Sequence, residues 1–343
     1  MRLWAIYKGK ETKMKNAVLL LGACSLLLSA CSGPDAIRLM LGVSEPPVFR
    51  SARAVSETEV EFAFSKPVTI TALRFSPQLQ VEEIEDGSTV RVTFSGDLQP
   101  GERLTADLLA EDADGNTIAV LVPFRARNDR LPPLRITELR VDYTRPRAEF
   151  IEMRAFGDGN LGGLRVFVAS NAGSPLVYEF PPVEVRGGEY VTLHLRQVED
   201  DNRDELGSDL AESGGANSSP TGRDLWVPGT VKLLRRTDIV YLLDQDDRVV
   251  DAIALSETAG PEWPRSHFAD AADFLFRAGA WASADGERIR PSDAVLTASA
   301  TTTRTINRDE SLEENSRSAS DWYITATSGA TPGRPNNTRR HGD

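Results

Sequence analysis

Short runs in which apolar and polar residues alternate constrain the fold of this chain most. Successive side chains of a strand point to opposite faces, so a period of two gives each strand one face to bury. The alternating apolar positions are Val60, Phe62, Phe64, Val90, Val92, Phe94, Ile118, Val120, Val122 and Phe124. Asp86-Gly87 and Asp114-Gly115-Asn116 separate these runs and suit tight hairpin turns. The pattern predicts an all-β fold, with a small β-sandwich over residues 48–128.

A second series of predicted strands follows the stretch NDRLPP, whose two prolines favour an extended hinge. These strands are rich in β-branched and large apolar residues, and they are ITEL (136–139), FIEM (150–153), YVTL (190–193), VKLL (231–234), IVYLL (239–243) and VVDAI (249–253). No internal repeat or coiled coil accompanies them. We therefore expect two β-sandwich domains in tandem.

An apolar run near the amino terminus predicts export. It covers residues 17–28 (AVLLLGACSLLL) and follows Lys15. This length is typical of a signal-peptide core and is shorter than the roughly 20 apolar residues that cross a bilayer. Met14 fits the start of such a signal better than Met1, because residues 2–13 are mixed and polar.

The apolar run ends in Leu28-Ser29-Ala30-Cys31, which resembles the lipobox of bacterial lipoproteins. The resemblance implies that signal peptidase recognises Leu28, Ser29 and Ala30 and cuts before Cys31, whose thiol carries lipid. Several acyl chains make such an anchor stable, since one chain alone binds a membrane only marginally. An ordinary secretory signal or an uncleaved apolar segment is the alternative.

This resemblance also implies localisation to a bacterial cell envelope. Ser32 follows the cysteine, which in enteric lipoproteins favours the outer membrane over the inner membrane. The predicted organisation is a signal peptide at 1–30, a lipidated linker at 31–47, sandwiches at 48–128 and 134–337, and a disordered tail at 338–343.

Both sandwiches resemble immunoglobulin-like (Ig-like) domains. Residues 98–104 (LQPGERL), followed by the turn at 112–116 (DADGN), are similar to Ig-like domains of bacterial surface proteins. In the second region the segments resemble a lamin-tail domain, and they are I-x-E at 136–138, F-I-E at 150–152, V-V-D at 249–251, D-W at 321–322 and TPGRPN at 331–336. Ala155 departs from the lamin-tail pattern, which often has Asn there.

Two insertions account for the extra length of the second region. The first, residues 199–223, is rich in charge, Gly and Ser, so we expect it to be too polar to pack. The second, residues 256–314, holds several aromatic residues, and we expect a short helix over residues 269–278 to cover a sandwich edge.

Charge and cysteine content exclude several functions. Residues 1–30 hold five basic residues and one acidic residue, so the formal net charge falls from −12 to −16 after cleavage. Such a surface repels phosphate backbones, and we predict no nucleic-acid partner. Once Cys31 carries lipid and Cys24 is removed with the signal, no thiol remains for disulfides, catalysis or metal binding.

The residues that could carry chemistry are few. Three scattered histidines disfavour a catalytic triad or zinc site, and we expect His194 to be a half-exposed strand residue. Glu138 and Glu152 are the best carboxylate pair, for acid–base hydrolysis or as structural partners of an Arg or a backbone turn. Trp263, Trp281 and Trp322 are candidates for an aromatic binding platform, although we expect Trp322 to fill the core.

Alternate oxygen ligands at Asp200, Asn202 and Asp204 are weak calcium candidates, because Glu205 stands where a calcium loop needs Gly. A solvated charge run is the simpler interpretation. The turn at 112–116 is likewise expected to be a hairpin turn. No other metal or cofactor is predicted.

We therefore predict a non-enzymatic, lipid-anchored envelope protein that binds or scaffolds a protein or glycan partner. The alternatives are a membrane-anchored hydrolase that uses carboxylates and a purely structural spacer.

Overall fold

The computed structural model describes residues 44–312 and 316–342, and it is all-β, as predicted. This described part contains nineteen strands and one α-helix. Its buried apolar residues form two separate clusters, within residues 54–126 and within residues 134–322, and we call these two regions the first and the second domain. The predicted signal peptide (1–30) and the lipid attachment site Cys31 lie outside the described residues.

The first domain is an antiparallel structure in which one long strand belongs to two layers. Its strands are β1 (Phe49–Ser56), β2 (Glu59–Ser76), β3 (Val81–Glu85), β4 (Gly87–Phe94), β5 (Arg103–Glu111) and β6 (Thr117–Arg125). The first half of β2 pairs with β1 and β4, and its second half pairs with β5. The order β3-β4-β2-β5-β6 therefore folds over on itself around β2.

The predicted alternation decides which face of each strand lies inside this domain. Side chains buried between the layers include Val60, Phe62, Val92, Leu104, Leu108 and Phe124. Their neighbours in sequence face outward, as Leu121 does with 72% exposure. The predicted hairpin at 112–116 is present: Asp112 Oδ1 accepts from the backbone N–H of Asp114 and Asn116, and Gly115 has φ of +82°.

The second domain is built from two larger sheets and a two-stranded ribbon. Its first strands are β7 (Leu134–Arg140), β8 (Phe150–Ala155), β9 (Gly159–Asn160), β10 (Arg165–Val168), β11 (Leu176–Glu179), β12 (Glu184–Val185) and β13 (Tyr190–His194). The remaining strands are β14 (Arg223–Trp226), β15 (Asp238–Leu243), β16 (Val249–Ser256), β17 (Val295–Leu296), β18 (Ile306–Arg308) and β19 (Trp322–Ile324). One sheet has the order β14-β13-β8-β7-β18-β19 and the other β11-β10-β15-β16-β17, while β9 pairs with β12.

These two sheets share one hydrophobic core, to which Ile136, Ile151 and Met153 contribute from one sheet and Val240 and Ile253 from the other. The predicted helix is present as α1 (Ser266–Arg277). It buries Phe268, Ala272 and Leu275 and packs Phe274 against Tyr241 of β15, with ring centroids 5.3 Å apart. The helix lies on β15 and β16, which are inner strands of the second sheet, so the prediction that it covers a sandwich edge is wrong.

The outer face of the six-stranded sheet, which points away from the core, is also covered. Two segments lie on it: residues 199–222, which we call the cover loop, and residues 328–337, which we call the C-terminal strap. The expectation that the first of these would be too polar to pack is wrong. Asn202, Glu205 and Asn217 are buried, because their side chains and neighbouring backbone groups satisfy one another by hydrogen bonds.

The predicted hinge between the domains is instead a docked junction. Asn128 Nδ2 donates to the carbonyl oxygens of Asn160 and Gly162, each at 2.8 Å. Gly162 lies so close to the first domain that a Cβ placed on it would be 1.8 Å from the carbonyl oxygen of Pro100. Glu179 of β11 accepts from Arg103 and Arg125 of the first domain.

The carboxyl-terminal residues predicted to be disordered have a defined path up to residue 342. Thr325 forms an antiparallel bridge with Arg340, and the backbone N–H of His341 donates to the carbonyl oxygen of Ile324. The tail therefore extends the edge of the six-stranded sheet.

Candidate functional site

The predicted carboxylate pair lies on the outer face of the six-stranded sheet. Glu138 of β7 and Glu152 of β8 are register partners on adjacent antiparallel strands, and neither side chain is exposed. A bulge between Ile136 and Glu138 changes the local alternation of β7. Since Ile136 faces the core, this bulge brings Glu138 onto the same face as Glu152.

Both carboxylates bind the C-terminal strap. Glu138 Oε2 accepts from the backbone N–H and the hydroxyl of Thr331, both at 3.0 Å. Glu152 accepts from the backbone N–H of Gly333 at 2.6 Å and from the hydroxyl of Thr137 at 2.9 Å. The pair therefore holds the chain's own backbone, which is the structural role anticipated from the sequence.

Burial raises the pKa of both carboxyl groups. The negative charge of Glu138 raises the pKa of Glu152 further, because two adjacent carboxylates in a low-dielectric site resist double ionisation. A raised pKa suits a general acid, but a catalytic acid must also reach its substrate. Neither group does so while the C-terminal strap is in place.

The other segments of the lamin-tail resemblance converge on the same sheet. Asp251 accepts from the backbone N–H of Ile136 at 2.7 Å and pairs with Arg308 at 2.8 Å, in a buried ion pair that links the two sheets. The guanidinium of Arg308 lies 4.6 Å from the ring centroid of Trp322. Asn336 Nδ2 donates to the carbonyl oxygens of Thr137 and Arg308. Hydrogen bonds and ion pairs therefore connect these residues to the six-stranded sheet.

The three tryptophans do not present an exposed platform. Trp322 is buried, which confirms its predicted core position, and Trp281 is buried as well. The indole N–H groups of Trp263 and Trp281 donate to the carbonyl oxygens of Ile289 and Asp293. All three rings pack with the hydrophobic core of the second domain.

His194 is fully buried, so its predicted half-exposed position is wrong. Its Nε2 lies 2.8 Å from Oδ1 of Asp224, and its ring stacks on Trp226 at 3.8 Å between centroids. Asp224 also accepts from the backbone N–H of Ser219 at 2.7 Å, and the hydroxyl oxygen of Ser219 lies 3.0 Å from that of Thr221. The cover loop buries this end of β13, which the sequence predicts to be half exposed.

The weak calcium candidates have other partners. Asn202 Oδ1 accepts from the backbone N–H of Glu199 at 2.9 Å, and Asp204 Oδ1 accepts from that of Trp226 at 2.7 Å. Across residues 44–312 and 316–342, no group of three or more His, Cys, Asp or Glu side chains could hold a metal ion. The side chains at 202 and 204 organise the cover loop.

A cleft of about 470 Å³ opens where the cover loop meets the C-terminal strap. Three arginines line it: Arg140 at the end of β7, Arg147, and Arg334 of the C-terminal strap. The other lining residues are small or uncharged, and they are Ala216, Asn217, Ser218, Ser219, Pro220, Thr221, Thr302, Thr303, Ser328, Ala330 and Pro332. None of these lining residues is acidic, so the cleft is a basic recess in a chain of net negative charge.

Sequence reasoning missed this cleft. Its residues come from four distant segments, around 140–147, 216–221, 302–303 and 328–334, and no motif joins them. The net negative charge of the chain gives no indication of a local basic site. Only the packing of the cover loop and the C-terminal strap brings these side chains together.

Comparisons with known proteins concern mainly the second domain. Residues 132–324 match the TP_1001_2nd family, described as "protein second domain". A protein of Treponema pallidum (strain Nichols), named "Uncharacterized protein", is 28% identical over 187 residues, which are 52% of this chain and 47% of that protein. This chain therefore spans less than half the length of that relative.

Two solved structures show weak similarity. The N-terminal part of the bacterial S-layer protein SbsC is 13% identical with a TM-score of 0.25, covering 65% of this chain and 46% of that one. A DUF4876 family protein from Bacteroides thetaiotaomicron is 12% identical with a TM-score of 0.28, covering 87% and 97%. At these TM-scores neither match supports an inference about this chain. Within the described ranges, no helix combines the length and apolar character that crossing a bilayer requires.

Proposed function

We propose that this chain, which belongs to the TP_1001_2nd family through residues 132–324, is a lipid-anchored cell-envelope protein that binds or scaffolds a partner without catalysing a reaction. The partner class is a protein or a glycan of the envelope. The membrane is reached through lipid on Cys31, with the outer membrane favoured over the inner one.

The observation that carries the non-enzymatic part is the commitment of the buried acidic groups to the fold. The carboxylate oxygens of Glu138 and Glu152 accept hydrogen bonds from Thr331, Gly333 and Thr137. The buried Asp224 is likewise held by His194 and by the backbone of Ser219. A hydrolase built on these groups would have to expose them first, at the cost of the contacts that close the domain.

The anchoring part is supported by the sequence of residues 17–31. An apolar run of signal-peptide length ends in Leu28-Ser29-Ala30-Cys31, with small residues where a peptidase must accept extended backbone. Residues 32–48 separate Cys31 from β1, so a lipid at Cys31 would tether the first domain within about 60 Å of the membrane surface.

Detergent-phase partitioning, together with the mass of the mature amino terminus, tests the anchor. We expect the wild-type chain to enter the detergent phase with acyl mass on Cys31, and the Cys31→Ser chain to stay in the aqueous phase with its signal uncleaved or cut elsewhere. A wild-type amino terminus at residue 1 with a free thiol would refute the proposal.

A hydrolase screen tests the non-enzymatic part. The purified chain and its Glu152→Gln variant are assayed on glycan and ester substrates, with circular dichroism as the control for folding. We expect no turnover by either protein. Turnover by the wild type that is lost in a folded Glu152→Gln variant would establish the hydrolase alternative.

A further inference from the structure

We propose that the cleft between the cover loop and the C-terminal strap binds an anionic sugar, that is, a saccharide unit carrying a carboxylate or phosphate group. This inference rests on the proposed binding function and names the chemical class of the glycan partner. No residue identified from the sequence as functional lines this cleft.

The first observation is a buried cation that lacks a counter-ion. Four arginines are buried in the described part of the second domain, namely Arg140, Arg196, Arg223 and Arg308. The last three each pair with a carboxylate, on Glu149, Glu189 and Asp251 respectively, at 2.6–2.8 Å. Arg140 alone among them has no carboxylate within ion-pair distance.

Arg140 is 4% exposed, and its polar contact is with the neutral Oδ1 of Asn217 at 2.8 Å. Its Nε has no hydrogen-bond partner among the described residues. Burial lowers the pKa of Arg140 to about 10, and the positive charge of Arg147 adds to this effect. Glu138 attracts the guanidinium without forming an ion pair with it, and the guanidinium carbon lies 5.1 Å from the ring centroid of Phe150. An unpaired buried charge is costly, and an anion in the cleft would relieve that cost.

The second observation is the position of two further arginines at the rim. Arg147 and Arg334 are exposed, and neither side chain has a hydrogen bond or ion pair within residues 44–312 and 316–342. Guanidinium groups present planar pairs of N–H donors that match carboxylate and phosphate oxygens. Three cations line one cleft whose own lining contains no acidic residue, and such an arrangement favours an anion.

The walls of the cleft are held in place by the buried acidic residues. Glu138 and Glu152 fix Thr331 and Gly333 of the C-terminal strap, and Asp224 fixes Ser219 of the cover loop. The hydroxyl of Thr221 donates to the carbonyl oxygen of Gly333 and joins the two walls. The acidic residues are thus positioning residues that preorganise a basic cleft.

The uncharged lining indicates a sugar. Hydroxyl groups of Ser218, Thr221, Thr302, Thr303 and Ser328 surround the arginines, and no aromatic or large aliphatic side chain lines the cleft. Each hydroxyl keeps acceptor capacity for a sugar hydroxyl. The volume of about 470 Å³ lies in the range of small-ligand sites. The cleft offers no large apolar surface on which a lipid tail could pack.

Ligand-observed NMR titration of the full chain in detergent tests this inference, with glucuronic acid, glucose 6-phosphate, glucose and inorganic phosphate as probes. We expect at least one anionic sugar to bind about tenfold or more tightly than glucose. The two anionic sugars distinguish a carboxylate from a phosphate ligand. The variant Arg147→Gln/Arg334→Gln should weaken that binding about tenfold, the usual scale for loss of charge-assisted hydrogen bonds.

The matched control is Arg265→Gln, an exposed arginine of the same domain that lies outside the cleft, and it should bind like the wild type. Arg140→Gln is examined second, with circular dichroism, because it removes a buried contact. Equal affinity for glucose and the anionic sugars, absence of binding by every anionic probe, or unchanged binding in the folded double variant would overturn the inference. Equal affinity for inorganic phosphate and glucose 6-phosphate would overturn its sugar part. Partitioning and the mass of the amino terminus test the anchor independently of these arginines.

Discussion

The two domains treat the outer faces of their sheets differently. In the first domain the strands keep one face inside and leave the other to solvent, and Asp112 is the one buried polar or charged residue among residues 44–127. In the second domain the cover loop and the C-terminal strap lie on the six-stranded sheet, and 26 buried polar or charged residues occur in the described part. A sheet covered by polar segments needs buried partners for their backbone groups, and those partners create a shaped cleft.

The first domain should therefore depend on apolar packing and the second on polar pairing. In the first domain, rings such as Phe62 and Phe124 meet edge to face at 6.1 Å. In the second, ion pairs such as Asp251–Arg308 link layers that also share an apolar core. Four substitutions can break or sharpen this contrast, and they follow in order of expected effect.

Phe62→Ala should have the largest effect, because it empties the centre of the first domain. We expect its free energy of unfolding to fall by about 4 kcal/mol, as for other buried aromatic residues. Hydrogen exchange would show the loss of protection in β1–β6. Leu121→Ala, at an exposed position of the same domain, should change little. Equal effects of the two substitutions would contradict an apolar core organised by alternation.

Asp251→Ala should be next, since it leaves Arg308 buried without its carboxylate and frees the backbone N–H of Ile136. We expect the second domain to lose about 3 kcal/mol, at the lower end for a broken buried ion pair. Hydrogen exchange of backbone amides in β7 and β18 measures this loss of stability. Asp273→Ala, on the exposed side of α1, is the matched control. An effect no larger than that of the control would show that apolar packing alone holds the two sheets together.

Two carboxyl groups, one in each domain, should contribute pH dependence of opposite sign. Burial raises the pKa of Asp238 to about 7, so this group binds a proton more strongly in the folded second domain than in the unfolded chain, and its contribution to stability falls as the pH rises from about 4 to 7. Hydrogen bonds from Asn116 and Lys66 lower the pKa of Asp112, so the first domain gains stability above the ordinary pKa and loses it as the pH falls.

Asp238→Asn tests this difference. The slope of the second domain's unfolding free energy against pH, measured by denaturant titration between pH 5 and 7, should become smaller, while the first domain keeps its dependence. An unchanged slope in the second domain would show that Asp238 does not contribute to the pH dependence of its stability.

Gly162→Ala should affect the stability of each domain least and their relative placement most. Its Cβ would collide with the carbonyl oxygen of Pro100, so we expect the domains to separate while each keeps its own core. Small-angle scattering would show an increased radius of gyration. Gly173→Ala, which meets no atom within 4 Å, should leave the scattering unchanged. Unchanged scattering in both variants would show that the junction tolerates the collision.

Local patterns predicted much of this fold. The alternation at 60–64, 90–94 and 118–124 marks β2, β4 and β6, because a strand with one dry face repeats every two residues. The sequence predicts the short helix from residue 269, whereas the helix begins three residues earlier, at Ser266. The adjacency of Glu138 and Glu152 followed from two neighbouring strands, and their register confirms it.

Other features depended on contacts between distant segments. His194 alternates like a half-exposed strand residue, yet the cover loop buries it. The cover loop has the composition of a solvated loop, and it packs because Asp224, Glu205 and its own amides satisfy its backbone. Composition measures the average tendency of a segment to stay in water, and it cannot count hydrogen bonds to groups elsewhere in the chain.

The sequence by itself determined most of the strands and turns and the residues that resemble a lipobox, because each depends on neighbours along the chain. Only the tertiary structure decided that a polar loop and a carboxyl-terminal strap cover one sheet and that three arginines meet at their edge. The reason is physical: a buried charge is defined by what surrounds it, and the surroundings of Arg140 come from residues more than 70 positions away as well as from its own strand.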